Sequence, residues 1–138
     1  MIDMILWENY KKICFLAPFG MPSWPEFAIV TAWNPASQWV GDRRNRRRER
    51  ALWRHLEAMP GINMAGPVWG VAPDESWRES SIAVALPLPE VCALAARFGQ
   101  NAIYWIEGGQ LWLVPILSDK SAVCLGDIAA FWIVRANC

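Results

Sequence analysis

Two short apolar runs decide most of what this chain can fold into. Residues 27–33 (FAIVTAW) and 81–86 (SIAVAL) carry no charge and hold several β-branched side chains. Each is too short for a buried helix, and each ends at a proline signal, Asn34-Pro35 in one case and Pro87 in the other. Such runs read as buried strands. Proline stops them because it donates no ladder hydrogen bond and pushes the residue before it out of the helical region.

Helical segments fall between and after these strands. Asp42 is a candidate N-cap, and a helix behind it runs to about Met59, where Pro60-Gly61 ends it. A second helix spans about Pro89 to Phe98, with proline in its first turn and Gly99 as its stop. Residues 62–71 predict a strand with a break at Gly66-Pro67. Residues 101–106 and 110–116 predict a hairpin about Gly108-Gly109. A short helix fits residues 4–12, anchored by Trp7 and Tyr10, and the proline-rich stretch 18–25 is irregular. The tail after Ser121 fits either a short helix at 127–134 or a strand at 129–134. The order strand, helix, strand, strand, helix, strand matches the split βαβ pattern. The expected fold is α+β: a two-layer, ferredoxin-like sandwich in βαββαβ order with an added C-terminal hairpin, in one domain over residues 1–138.

At 138 residues the chain can bury a substantial core, and its 54% hydrophobic content argues against disorder. The N-terminus has no basic start followed by a long apolar run, and no apolar stretch approaches the length of a membrane span. The expectation is a cytoplasmic protein with no membrane partner. Cys14, Cys92, Cys124 and Cys138 are widely spread, and His55 is the one histidine. No set of four ligands at local spacing exists for a structural metal, so no metal or cofactor is expected and the thiols read as reduced. Cys92 falls in an apolar helical pattern and is expected in the core. Cys138, the last residue, is expected at the surface.

The formal net charge is zero, but the charge is unevenly spread: residues 41–50 (GDRRNRRRER) hold six arginines. On a helix of about 100° per residue, Arg43, Arg46, Arg47, Arg50 and Arg54 fall on one side. Asn45, Arg48, Leu52, Leu56 and Met59 fall on the other. Guanidinium groups in such a row match phosphates and carboxylates alike, although charge runs on helices are often only solvated faces. Arg48 shares the apolar face, so it needs a buried partner, and Glu79 is the candidate. Thr31, Asn34, Asn45, Glu79, Ser80, Ser81, Gln100 and Asn101 sit at or near element ends, where polar groups can converge on a ligand. No phosphate-binding glycine loop, dinucleotide fingerprint or zinc-protease motif is present, and His55 lacks a serine or cysteine motif around it. Catalysis is therefore not the favoured reading, although Glu79 suits a general acid or base.

Four elements in this order carry a family resemblance: TAWNP at 31–35, Asn45-x-x-Arg48-x-x-x-Leu52-x-x-x-Leu56, Gly70-x-x-Pro73-x-x-x-Trp77-x-Glu79-x-Ser81, and FGQNA at 98–102. Over roughly residues 27–106 the chain resembles an uncharacterised bacterial family, domain of unknown function 3293. That resemblance implies kinship and no activity. It draws attention to Thr31, Asn34, Asn45, Arg48, Glu79, Ser81 and Gln100 as motif positions. The loop between Asn34 and Asn45, unusually rich in arginine and tryptophan, and the tail after Glu107 depart from the pattern.

Three functional readings stand at this point. The favoured one is a small bacterial or phage interaction module without catalysis. In it Arg43, Arg46, Arg47, Arg50 and Arg54, with Trp39 and Trp53 nearby, bind an acidic protein surface or nucleic acid. The alternative is a small-ligand or enzymatic site in which Thr31, Asn34, Arg48, Glu79 and Gln100 meet at one end of the sheet. A third is a plain scaffold that meets its partner through exposed tryptophans. Homodimerisation through a free edge of the 101–116 hairpin is also open.

Overall fold

The computed structural model describes residues 4–136. Cys138 therefore lies outside the described residues. The described residues form a mixed α/β protein with three α-helices and one eight-stranded sheet. In chain order it forms α1 (Met4–Tyr10), β1 (Cys14–Ala17), β2 (Glu26–Thr31), α2 (Asp42–Glu57), β3 (Met64–Val71), β4 (Arg78–Val84), α3 (Leu88–Arg97), β5 (Ala102–Glu107), β6 (Gln110–Pro115), β7 (Val123–Asp127) and β8 (Trp132–Val134). Single 3-10 turns occupy Pro35–Ser37 and Ile128–Ala130.

The sheet order is β7-β6-β5-β2-β4-β3-β1-β8. Neighbours within β7 to β1 run antiparallel, and β8 adds to β1 in parallel. The two apolar runs at 27–33 and 81–86 form β2 and the second half of β4, and they pair at the centre. Alternation then assigns two faces. Ala28, Val30, Ile82, Val84, Ile103 and Trp105 point to one face, where they pack with Leu52 and Leu56 of α2 and with Val91, Leu94 and Ala95 of α3. Phe27, Ile29, Ala83 and Ile106 point to the other face, with Phe15 of β1, Val68 of β3 and Leu111 of β6.

That second face carries neither α2 nor α3, and the sheet closes over it by curling. The Phe15 ring of β1 lies 5.1 Å from the Tyr104 ring of β5. These strands are four places apart in the sheet. In a flat sheet that separation is about 19 Å, at about 4.8 Å per strand. The short helix α1 packs over the same face near the other edge, where buried Trp7 meets Leu113 beside Tyr104 and Val123.

The outer strands differ from the sequence reading. The β5–β6 hairpin is expected, and a strand at 129–134 is one of the two options for the tail. The chain also adds β7 beyond β6, and β1 and β8 beyond β3. β1 went unread because residues 14–17 (CFLA) are few and abut the irregular proline-rich stretch. In the tail the strand option is met over Trp132–Val134, and in place of a helix at 127–134 there is only a 3-10 turn at Ile128–Ala130. Because β7 pairs with β6, the 101–116 hairpin has no free edge to offer a second copy.

Local signals behave as their chemistry dictates, with one correction. The N-cap of α2 is Gly41, at φ 92°, and Asp42 is the first helical residue rather than the cap. Its carboxylate still complements the positive end of the helix. Gly99, at φ 69°, terminates α3, and a Cβ there would meet the Pro35 Cβ at 3.1 Å. The β3 register shifts between Ala65 and Val68, across Gly66-Pro67. Cys92 is partly buried against the helix-side core, and desolvation raises its thiol pKa.

Candidate functional site

The site is built on a left-handed turn. Pro35 follows Asn34, and Asn34 takes φ 46° and ψ 67°, a conformation that asparagine tolerates better than most residues. Asn45, fully buried on α2, holds this turn from behind. Its Oδ1 accepts from the Asn34 backbone N–H at 2.9 Å, and its Nδ2 donates to Asn34 Oδ1 at 2.8 Å. The remaining polar end of Asn34 is thereby aimed at β4, and its Nδ2 donates to Glu79 Oε2 at 3.0 Å. A buried amide, Asn45, and a half-buried one, Asn34, thus orient one carboxylate.

Arg48 does not pair with Glu79. Its Nε donates to the Ala32 carbonyl at 2.6 Å, its Nη2 donates to the Phe98 carbonyl, and its guanidinium stacks 5.9 Å from the Phe98 ring centre. Gln100 repeats this logic, with Nε2 donating to Trp33 O at 3.0 Å and to Phe98 O at 3.2 Å. Both side chains tie the end of β2 to the end of α3. The sequence reading failed here because it sought a charge for a charge. The C-terminal carbonyls of a helix are a sufficient partner for a guanidinium.

Glu79 lies within β4, opposite Gly70 of β3. Strand alternation puts Glu79 and Ser81 on the curled face with Thr31 of β2, which pairs with Ser81. Thr31 Oγ1 donates to the Ser80 carbonyl at 2.7 Å and accepts from the Trp33 backbone N–H at 3.0 Å. A small cavity of ≈ 40 Å³ lies here, lined by Thr31, Asn34, Glu79, Ser81 and Gln100 together with Tyr10, Ser37 and Tyr104. Gly70 contributes no side chain to its wall. Tyr104 OH donates to the Tyr10 carbonyl at 2.6 Å. Asn101 Nδ2 donates to Ser37 Oγ at 3.1 Å, and the Tyr10 and Ser37 hydroxyls are hydrogen bonded to each other.

The cavity opens outward into a cleft of ≈ 640 Å³ that shares Tyr10, Asn34, Ser37, Trp77 and Glu79 with it. Trp33, Trp39, Trp69 and Trp77 line the cleft, with Arg78 and Asp42 at its side. Trp33 and Trp69 meet edge to face, their centroids 5.6 Å apart, and the Arg78 guanidinium lies 4.1 Å over the Trp69 ring. Trp39 is 76% exposed. Among the described residues the Trp33 indole N–H is buried with no acceptor. Glu79 keeps some surface in the cleft while its carboxylate is largely desolvated. That desolvation raises its pKa from 4.5 to about 7, against the smaller opposing effect of the Asn34 hydrogen bond. Burial and the nearby Tyr10 and Glu79 hold the Tyr104 hydroxyl well above its ordinary range.

The motif residues of the sequence are thus the floor of this site and the frame behind it. The model of one described family matches residues 30–103, which run from the end of β2 into β5. The chain belongs to the family described as protein of unknown function DUF3293. No curated protein and no solved structure matches it. The DUF3293 segment supplies Asn34, Asn45, Glu79, Ser81 and Gln100, and all four of the cleft tryptophans, Trp33, Trp39, Trp69 and Trp77. Tyr10, from α1, and Tyr104, at the next residue beyond the match, complete the cavity from outside the matched segment.

The arginine face is distinct from this floor. Arg43, Arg46, Arg47, Arg50 and Arg54 are all exposed, and among the described residues none forms an ion pair. Trp53 is not part of that face. It is half-buried against the core, with its ring 3.0 Å from where a Gly66 Cβ would stand. His55 touches neither the cavity nor the cleft. Among the described residues no group of three or more His, Cys, Asp or Glu side chains is placed to hold a metal ion, and no helix is long and apolar enough to cross a membrane.

Proposed function

We propose that this DUF3293 protein binds a small organic molecule in the tryptophan cleft, with Glu79 as its anchor at the floor. The observation that carries this reading is the oriented, desolvated carboxylate at the bottom of an aromatic cleft. A volume of ≈ 640 Å³ suits a ligand of ordinary metabolite size. Four tryptophans offer flat apolar walls. A carboxyl that titrates near neutrality either accepts a hydrogen bond or donates one, so Glu79 suits proton exchange with a ligand as well as binding.

The scaffold beneath the site is read as a ferredoxin-like unit spanning β2 to β5. The antiparallel order β5-β2-β4-β3, with α2 and α3 on one face, supports that reading. The exposed, unpaired arginines of α2 support a second reading, a surface for an anionic partner.

Nuclear magnetic resonance tests the first reading through the indole N–H signals of the ten tryptophans. A fragment set of planar heterocycles, amines and carboxylates is titrated into labelled protein. Hits are expected to move the signals of Trp33, Trp39, Trp69 and Trp77 and to weaken in Glu79→Gln. Hits that leave those four signals in place while moving others would refute the cleft as the binding site.

A further inference from the structure

The cleft and the arginine face meet at one point. Trp39 and Asp42 line the cleft, and Asp42 is the first residue of α2. Arg46 and Arg50 stand four and eight residues beyond Asp42, so they form a ridge leading away from the cleft in steps of about 6 Å. Both are exposed, and neither is engaged by an acidic side chain among the described residues. Seven of the chain's thirteen lysines and arginines lie on this one helix.

Resting on the reading of the cleft as a ligand site, we propose that its ligand is a base of a single-stranded nucleic acid whose phosphates follow the Arg46–Arg50 ridge of α2. Aromatic platforms beside a positive track are how single strands are held without strict sequence preference. The cleft is large enough for a nucleoside, and exposed Trp39 stands where the strand must enter. Asn34 and Glu79, which line the cleft, present a donor and an acceptor to the edge of a base. A duplex cannot enter in this way without unstacking a base. An organic cation is the other ligand that aromatic walls attract. It is disfavoured here because Arg78 already covers the Trp69 ring and the neighbouring arginines repel positive charge.

Fluorescence anisotropy with labelled mixed-sequence RNA and DNA strands of about ten nucleotides tests this, with a duplex of equal length beside them. Single strands are expected to bind at low salt and to weaken as salt rises from about 50 to about 200 mM. Arg46→Ala with Arg50→Ala should reduce the slope of log affinity against log salt by about 1.4, at about 0.7 per lost phosphate contact. Trp39→Ala should weaken binding about tenfold with the slope unchanged. The RNA and DNA arms report whether a 2′-hydroxyl is read. These side chains are exposed, so an unchanged urea midpoint verifies that each variant folds. Absence of single-strand binding at low salt overturns the proposal, as does tighter binding of the duplex or indifference to both substitutions. The indole signals separate the two levels of failure. Fragments that move the cleft signals without oligonucleotide binding leave the cleft reading in place and refute this ligand class. Oligonucleotide binding that leaves the cleft signals unmoved refutes the placement of a base there.

Discussion

Replacing Glu79 with glutamine isolates the one titration the fold should feel most. In the unfolded chain this carboxyl loses its proton near pH 4.5, and in the folded chain near pH 7. Between those values the folded state holds a proton that the unfolded state has released, so stability falls as pH rises. The contribution is complete below pH 4.5 and is lost once pH passes 7. A span of about 2.5 pH units at about 1.4 kcal/mol per unit gives a loss of about 3 kcal/mol. In Glu79→Gln the side chain is neutral throughout, and its amide oxygen still accepts from Asn34 Nδ2. The difference between the wild type and the variant therefore removes every other titrating group from the comparison. Urea unfolding followed by tryptophan fluorescence measures it. At about 2 kcal/mol per molar urea, the wild-type midpoint should drop by about 1.5 M relative to the variant between pH 4.5 and pH 7.5. A difference that stays flat over this range refutes the reasoning, because it means that the carboxylate is as well solvated in the fold as outside it.

Further outcomes follow from the frame around Glu79. Asn45→Ala removes the buried amide that holds the Asn34 turn by two hydrogen bonds, and should cost about 2–3 kcal/mol by urea unfolding and weaken any cleft ligand. Arg48→Lys cannot reach both the Ala32 and the Phe98 carbonyl, and should cost about 1.5–3 kcal/mol while leaving the Glu79 titration in place. A shift of that titration in the lysine variant would show that the two side chains are coupled after all. Gly99→Ala forces a side chain into φ 69° and against Pro35, and should lower stability by at least about 1 kcal/mol. Arg47→Glu with Arg50→Glu should change stability by less than about 0.5 kcal/mol, since both are exposed, yet abolish binding of anionic partners.

What the sequence disclosed and what it concealed divide along sequence distance. The central strands and both long helices were legible because their signals are local: apolar runs closed by proline, a periodic face closed by Gly99. The polar floor was legible as a set, since Asn34, Glu79, Ser81 and Gln100 sit beside strand or helix ends. Their partners were not. Charge alone points Arg48 to a carboxylate, whereas the Ala32 carbonyl past β2 and the Phe98 carbonyl at the end of α3 satisfy it. The walls were missed for a different reason. Trp33 and Trp77 stand inside the recognised motifs, but nothing in their spacing says that they face a common cleft. The placement of Tyr10 against Tyr104 depends on a sheet that curls, which no local pattern encodes.

The central claim is that the tryptophan cleft receives a ligand that touches Glu79. A crystal structure of the protein soaked with its strongest fragment hit tests this most directly. The expected result is density between the Trp33, Trp69 and Trp77 side chains with a polar atom within hydrogen-bonding reach of the Glu79 carboxyl. Density confined to another surface, with the cleft holding only water, would contradict it.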